Sequence, residues 1–191
     1  MTEEQARSMP KTPPRSIESD LREIESVINR YCRAVDRMDK PLALSCWHEG
    51  GTDSHAPLYA GSAEGFLEWL WPVHGAMLTT HHMIGNVIID LRGDEAGVES
   101  YWSVTLRIPK DGRVWDYRGA GRYVDSFTWR DGRWAIVHRQ SVRDWSRTDE
   151  YTGPLEGSQA SPQMPKAASG AEEILPRRDR QDYSYGVLRN D

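Results

Sequence analysis

Between Leu21 and Met38 apolar residues return at helical spacing: Leu21, Ile24, Val27, Ile28, Tyr31, Ala34, Val35 and Met38. That spacing lines one face of a helix packed on a core, with Ser16 or Ser19 as its cap. A second helix is expected from Pro41, a favoured first-turn residue, through Leu42, Leu44 and Trp47, with Gly50 and Gly51 stopping it. A third begins near Ser62 and carries Phe66, Leu67, Trp69 and Leu70 until Pro72 ends or kinks it. The period then changes from helical to alternating. Four β segments are predicted near residues 80–91, 97–108, 114–129 and 133–145. The turn signals between them are Arg92-Gly93-Asp94, Lys110-Asp111-Gly112 and Arg130-Asp131-Gly132. Links this short join antiparallel neighbours, and helices followed by a meander give an α+β order rather than βαβ.

The ends differ in character from the middle. Residues 1–15 are polar and proline-containing and read as a disordered arm. They lack the apolar stretch of a signal peptide, and no apolar run is long enough to span a bilayer. A cytoplasmic protein with no membrane partner is therefore expected. Residues 16–147 form the expected domain. From Ser146 the composition shifts to Pro, Gly, Ser and charge, so residues 148–191 read as a C-terminal extension. Within it, Asp182 to Leu188 regains apolar content. It could dock on a neighbour, cover a pocket or hang loose, and the sequence leaves these open.

With 191 residues and a net charge of -5, the chain can enclose a core and a pocket but lacks the clustered Lys and Arg of a phosphate groove. No nucleic-acid partner is expected. The two cysteines, Cys32 and Cys46, have no CxxC spacing and read as small buried apolar groups. Eight Trp and eight Tyr against two Phe favour rings with a polar tip. Such rings suit a pocket for a flat ligand, and equally a core or an oligomer interface.

Three stretches together resemble the SnoaL-like branch of the NTF2-like superfamily, near its scytalone dehydratase and bile-acid dehydratase relatives. They are Tyr31 to Asp39; Thr80 to Asn86 with Gly93 to Ala96 and Glu99 to Tyr101; and Gly121 to Asp125 with Asp131 to Ile136, Arg139, Asp144 and Trp145. The match runs over roughly residues 17–147. It implies an α+β cone, with a curved antiparallel sheet wrapped around N-terminal helices and a cavity inside. It also implies chemistry without metal or organic cofactor, and a homo-oligomer, trimer or dimer. The fold alone does not fix the reaction.

The resemblance places an Asp of the first helix beside a His of the first long strand, at Asp36 and His82. Periodicity does not select Asp36, which lies off the main apolar stripe. A carboxylate that fixes the tautomer of a histidine makes a base that works near neutral pH. His81 and His82 point to opposite faces of a strand, so only one can line the cavity. The alternation groups His82 with Ile84, Asn86 and Ile88, and His81 with Met83, Val87, Ile89 and Leu91. It leaves the choice open, while the resemblance selects His82; a bulge would exchange the two. Adjacent strand histidines do not readily share one ion, so no metal site is expected. Tyr31 and Tyr59 are candidates to polarise a substrate oxygen. His81, Asn86, Trp102, Trp115, Tyr117 and His138 are candidate substrate contacts, His138 because it alternates with Trp134 and Ile136. Asp39 reads as a solvated carboxylate or as the cap of the helix at Pro41.

These residues point to a lyase that removes a small group, water or formaldehyde, from a small aromatic or cyclic substrate. An isomerase or cyclase would use the same parts without a leaving group. A non-catalytic binding module or an accessory subunit would need neither Asp36 nor His82.

Overall fold

The computed structural model describes residues 15–153 and 176–188. Helix α1 (Ile17–Asp36) starts at a capping box: the Ser16 hydroxyl accepts from the Ser19 amide, and the Ser19 hydroxyl accepts from the Ser16 amide. Its buried face holds Ile24, Val27, Ile28, Tyr31, Cys32, Ala34 and Val35. Each large side chain of that face contributes about 1.5–3 kcal/mol by leaving water. The N-terminal end of α1 is tied to the sheet through Trp134. The Trp134 indole N–H donates to Asp20 at 2.9 Å and its backbone N–H to Glu23 at 3.0 Å. Arg15 joins them, paired with Asp20 and lying over the rings of Trp129 and Trp134. Residues 1–14 of the expected arm lie outside the described residues, as do 154–175 and 189–191 of the extension.

The end of α1 sets up everything near Asp36. Met38 takes a left-handed φ of 54°, and the Asp39 amide donates back to the Ala34 carbonyl at 2.9 Å. This is a Schellman closure with methionine where glycine is usual. It turns the chain sharply enough for Asp39 to cap the next helix, α2 (Lys40–Leu44), by accepting from the Leu42 amide. Of the two readings of Asp39 the cap is the one present, and the carboxylate is buried rather than solvated. The helix itself is shorter than expected. Ser45 closes its last turn on the Leu42 carbonyl at 2.7 Å, and Trp47 opens a strand, β1 (Trp47–His55). Gly50, at φ 76°, and Gly51 sit inside this strand where its register shifts, rather than stopping a helix. A short β2 (Tyr59–Ser62) pairs back on β1. Helix α3 (Ala63–Gly75) is capped by Ser62 and runs on past Pro72.

The four predicted strands are all present with extended ends: β3 (Thr79–Arg92), β4 (Glu95–Lys110), β5 (Arg113–Arg130) and β6 (Arg133–Glu150). β6 thus continues past Ser146, where composition suggests a tail. The hairpins at Asp111-Gly112 and Asp131-Gly132 place both residues at positive φ, as two-residue turns of the mirror-image type require. The sheet order is β2-β1-β6-β5-β4-β3. The β3 to β6 meander is antiparallel as expected, and β1 adds one parallel pairing along β6, so the sheet is mixed. It is curved and unclosed, and α1 and α3 pack in its hollow.

Three irregularities reset which side chains enter that hollow. One lies between Ile84 and Val87 on β3, one at Ala120/Gly121, and one where Ser126 faces His138 but Phe127 faces Ile136. Each inserted residue reverses the alternation beyond it. Gly121 is held at the second. A Cβ there would lie 2.0 Å from the Val142 carbonyl oxygen and 2.7 Å from Trp102. Gly121→Ala is expected to lower stability by about 1–3 kcal/mol through overpacking against backbone that cannot step aside, read as a shifted urea midpoint at unchanged slope.

Candidate active site

The hollow between the sheet and the helices encloses a cavity of about 410 Å³. Its apolar wall includes Phe66, Trp69, Leu70, Trp102, Val104 and Leu106. Its polar groups are few, which is the composition of a small-molecule pocket.

His82 faces this cavity and His81 is exposed on the outer face. Thr80, His82 and Ile84 point inward, and after the bulge the inward set becomes Val87, Ile89 and Leu91. The simple alternation therefore fails beyond Ile84, and Asn86, grouped with His82 on the inner face, is exposed. The Asp36 carboxylate holds His82 twice. Oδ1 accepts from ring Nδ1 at 2.7 Å and Oδ2 accepts from the His82 backbone N–H at 2.8 Å. Both side chains are only 9% exposed, so water competes little for these bonds. With the proton on Nδ1, the lone pair sits on Nε2, which has no hydrogen-bond partner among the described residues and is left for the cavity.

A carboxylate at the C-terminal end of a helix meets the negative end of the helix dipole. The C-terminal segment offsets this. Arg178 donates to the Asp36 carbonyl at 3.4 Å and to the carbonyls of His74 and Met77 at 2.9 and 2.8 Å, so one guanidinium serves the ends of α1 and α3 together. Around it, Arg180 and the Tyr185 hydroxyl bond the Asp39 carboxylate, and Arg33 bonds Ser184 and lies 4.4 Å over the Tyr185 ring. The segment from Asp182 to Leu188, left open in the sequence, thus docks on its own chain, with a short helix α4 (Ser184–Val187).

The other expected contacts divide. Tyr31, Trp102 and Tyr117 line the cavity. Tyr31 is fully enclosed, edge-on to Trp47 and Tyr123, and burial pushes its phenol well up. Tyr59 does not line the cavity. Its hydroxyl donates to the Ser62 carbonyl at 2.9 Å, and its ring packs on Phe66 and Trp69. Trp115 is half-buried outside the cavity wall. His138 is exposed and bonds Thr52 at 2.8 Å, contrary to its expected inward position. The bulge between Ile136 and His138 turns it out and turns Arg139 in.

Arg139 is wholly buried, an outcome the sequence pattern does not suggest. It forks onto Asp125, Nε to Oδ1 at 2.9 Å and Nη2 to Oδ2 at 2.7 Å, and its flat faces lie over Tyr123 at 4.0 Å and Tyr31 at 4.4 Å. Burial pushes the Asp125 carboxyl up while the guanidinium pulls it back. Sequence reasoning also misses His55, which lines the cavity with Nδ1 2.5 Å from the Asp53 carboxylate, and His74, whose ring lies 5.8 Å from that of His82. An Asp-x-His pair in an apparent helix-to-helix link carries no periodic signal. Burial pushes the Cys32 thiol up to about 12, so it stays neutral beside these groups. Among the described residues no group of three or more His, Cys, Asp or Glu is placed to hold a metal ion, and no helix is long and apolar enough to cross a membrane.

A SnoaL-like domain model matches residues 18–140, and the chain belongs to that family. No curated protein matches the sequence. Solved structures carry the fold. The Kfla4162 protein of Kribbella flavida is 17% identical, with a TM-score of 0.63 over 69% of this chain and 95% of that one. A candidate scytalone dehydratase of Novosphingobium aromaticivorans is 22% identical, with a TM-score of 0.61 over 72% and 91%. The type 3 hexachlorocyclohexane dehydrochlorinase of Novosphingobium barchaimii is 14% identical, with a TM-score of 0.58 over 72% and 91%.

His74 supplies a pH signature for this region. Loss of water, with His82 and Arg178 nearby, pushes its imidazole down to about 3, so it is neutral when folded and gains a proton below its ordinary 6.5 only when unfolded. The unfolded chain then binds the extra proton, and stability falls as pH drops from 6.5 towards 3. Urea unfolding at pH 7 and pH 4 is expected to show a larger acid loss in the wild type than in His74→Leu. The difference approaches about 1.4 kcal/mol per pH unit across that window.

Proposed function

We propose that this chain is a cofactor-independent lyase of the dehydratase type, in which the Asp36–His82 pair removes a proton beside an activated carbon of a small aromatic or cyclic compound. The observation that carries this reading is the double hold of Asp36 on His82, through Nδ1 and through the backbone N–H. It fixes the ring position and the tautomer before any ligand arrives, so no reorganisation is needed when the proton moves. As His82 becomes an imidazolium, the carboxylate 2.7 Å away stabilises the new charge. The electron pair left on carbon expels a neighbouring hydroxyl, which takes the proton back from His82 and leaves as water, or it returns to another carbon in an isomerisation. In the formaldehyde variant His82 takes the O–H proton of a hydroxymethyl group instead, the C–C bond breaks, and its electron pair stays on the ring carbon.

Tyr31, Trp102 and Tyr117 form aromatic walls that favour a flat ligand, and groups that face the cavity take the role of oxygen donor expected of Tyr59. The similarity to dehydratase and dehydrochlorinase structures supports elimination as the class. The outer face of the sheet exposes Met83, Ile88, Tyr101, Val124 and Trp145, which supports assembly of several copies.

The test works whatever the leaving group is. Cyclic and aromatic carbonyl compounds with acidic C–H bonds are incubated with the protein in heavy water, and loss of the C–H signal is followed by proton NMR. The wild type is expected to catalyse exchange with at least one class. His82→Gln and Asp36→Asn are expected to slow it by about 10²–10⁴-fold, with thermal unfolding recording that both remain folded. Binding without exchange across the panel would replace the lyase reading with that of a carrier.

A further inference from the structure

The proposed chemistry leaves one constellation of the same cavity unused. His55, at the end of β1, lines the cavity from the side opposite His82, because β1 and β3 are separated in the sheet by β6, β5 and β4. Its ring stacks on Phe66 with centroids 4.5 Å apart and planes 9° from parallel, and meets Tyr123 at 5.9 Å. Nδ1 lies 2.5 Å from Asp53 Oδ1, so this imidazole too is oriented by a buried carboxylate. Nε2 has no hydrogen-bond partner among the described residues. The His55 side chain is 20% exposed, so this nitrogen is open to the cavity and to a ligand in it rather than sealed in the core.

The charges around the two imidazoles differ. At His82 the one carboxylate is Asp36, the nearby guanidinium of Arg178 bonds the Asp36 backbone carbonyl, and His74 is neutral. Among the described residues no second carboxylate bonds this imidazole, and its Nε2 is left facing the cavity. At His55 two buried carboxylates, Asp53 and Asp125, face a single buried guanidinium, Arg139. Tyr31, Tyr123 and Cys32 pack beside them and stay protonated, since burial pushes all three up. Both oxygens of Asp125 already accept from Arg139, whereas Asp53 Oδ2 is buried with no partner. An uncompensated charge in this setting costs several kcal/mol, and a proton shared by Asp53 and His55 would balance the cluster. If the proton makes His55 an imidazolium, Nε2 carries a hydrogen. If it sits on Asp53, the carboxyl donates to Nδ1 and the neutral ring again carries its hydrogen on Nε2.

We infer that the cavity has two complementary poles, His82 accepting a proton through Nε2 and His55 donating a hydrogen bond through Nε2, and that its ligand is a flat cyclic compound with an acidic hydrogen towards one end and a carbonyl or phenolic oxygen towards the other. This rests on the proposed role of His82 and names the substrate class that role would serve. When His82 breaks the C–H bond, an N–H bond forms on its ring and the electron pair moves through the conjugated system. The negative charge arrives on the oxygen held by His55. No oxidant or second reactant is consumed, and the donor meets the charge where it develops.

Two measurements test this on the full chain. Long-range proton–nitrogen correlation spectra with labelled histidine read each ring nitrogen directly, with His55→Gln and His82→Gln assigning the signals. At pH 7 the His55 Nε2 is expected to carry hydrogen and the His82 Nε2 is not; an unprotonated His55 Nε2 overturns the inference and leaves the His82 base standing. Calorimetric titration then compares 2,6-dihydroxynaphthalene with 2-naphthol. The two-oxygen probe is expected to bind about tenfold more tightly, the worth of one added hydrogen bond, and His55→Phe is expected to erase that advantage while keeping the stack on Phe66. An advantage that survives in His55→Phe overturns the donor role. Exchange lost in His82→Gln together with an unaltered preference in His55→Phe would separate failure here from failure of the base.

Discussion

A guanidinium with no exposure to water imposes conditions on everything around it. Arg139 must be neutralised, and Asp125, across the ladder on β5, supplies both oxygens. It must also be packed, and Tyr31 and Tyr123 cover its faces with ring electrons instead of water. To point inward at all it needs the extra residue in β6 between Ile136 and His138. The bulge, the ion pair and the stacked rings are therefore one device. Breaking a buried pair of this kind by removing one partner typically costs about 3–5 kcal/mol, much more than a surface pair. Through Tyr31 the device touches the middle of α1, and through Tyr123 it touches His55, so the floor of the cavity and one of its poles hang on the same charge.

The sequence is legible where a single period runs unbroken. The face of α1 from Ile24 to Val35, the Ser62 cap and the four long strands follow from apolar spacing and from Asp-Gly turns, and the structure shows each of them. What fails is phase. A strand alternates reliably only between bulges, and each bulge sends the residues beyond it to the other face. A count carried across such a point puts His138 and Asn86 inward and Arg139 outward, the reverse of where they stand. β1 gives no periodic signal because Trp47 to His55 is polar and glycine-bearing, and its pairing partner, β6, lies some 90 residues away. Asp36 and His82 come from resemblance to the family and not from periodicity. They meet across 46 residues of chain, a separation over which no local rule speaks.

Two imidazoles in one apolar chamber, each oriented by its own carboxylate, need not behave alike. The surroundings differ in the charges packed around each ring, and nearby charge is one of the things that sets where a proton sits. At one end Arg178 reaches the carbonyls at the ends of α1 and α3 from the C-terminal segment, while at the other Arg139 is already committed to Asp125. The two ends of one hollow thus differ in charge balance although each presents the same kind of side chain.

The clasp of Arg178 also orders events in time. It follows Asp36 by 142 residues, so during synthesis α1 emerges long before the group that steadies its end. All six strands are synthesised before Arg178 can reach the carbonyl of Asp36. A nascent chain can therefore hold the whole sheet and still lack the clasp that joins the ends of α1 and α3.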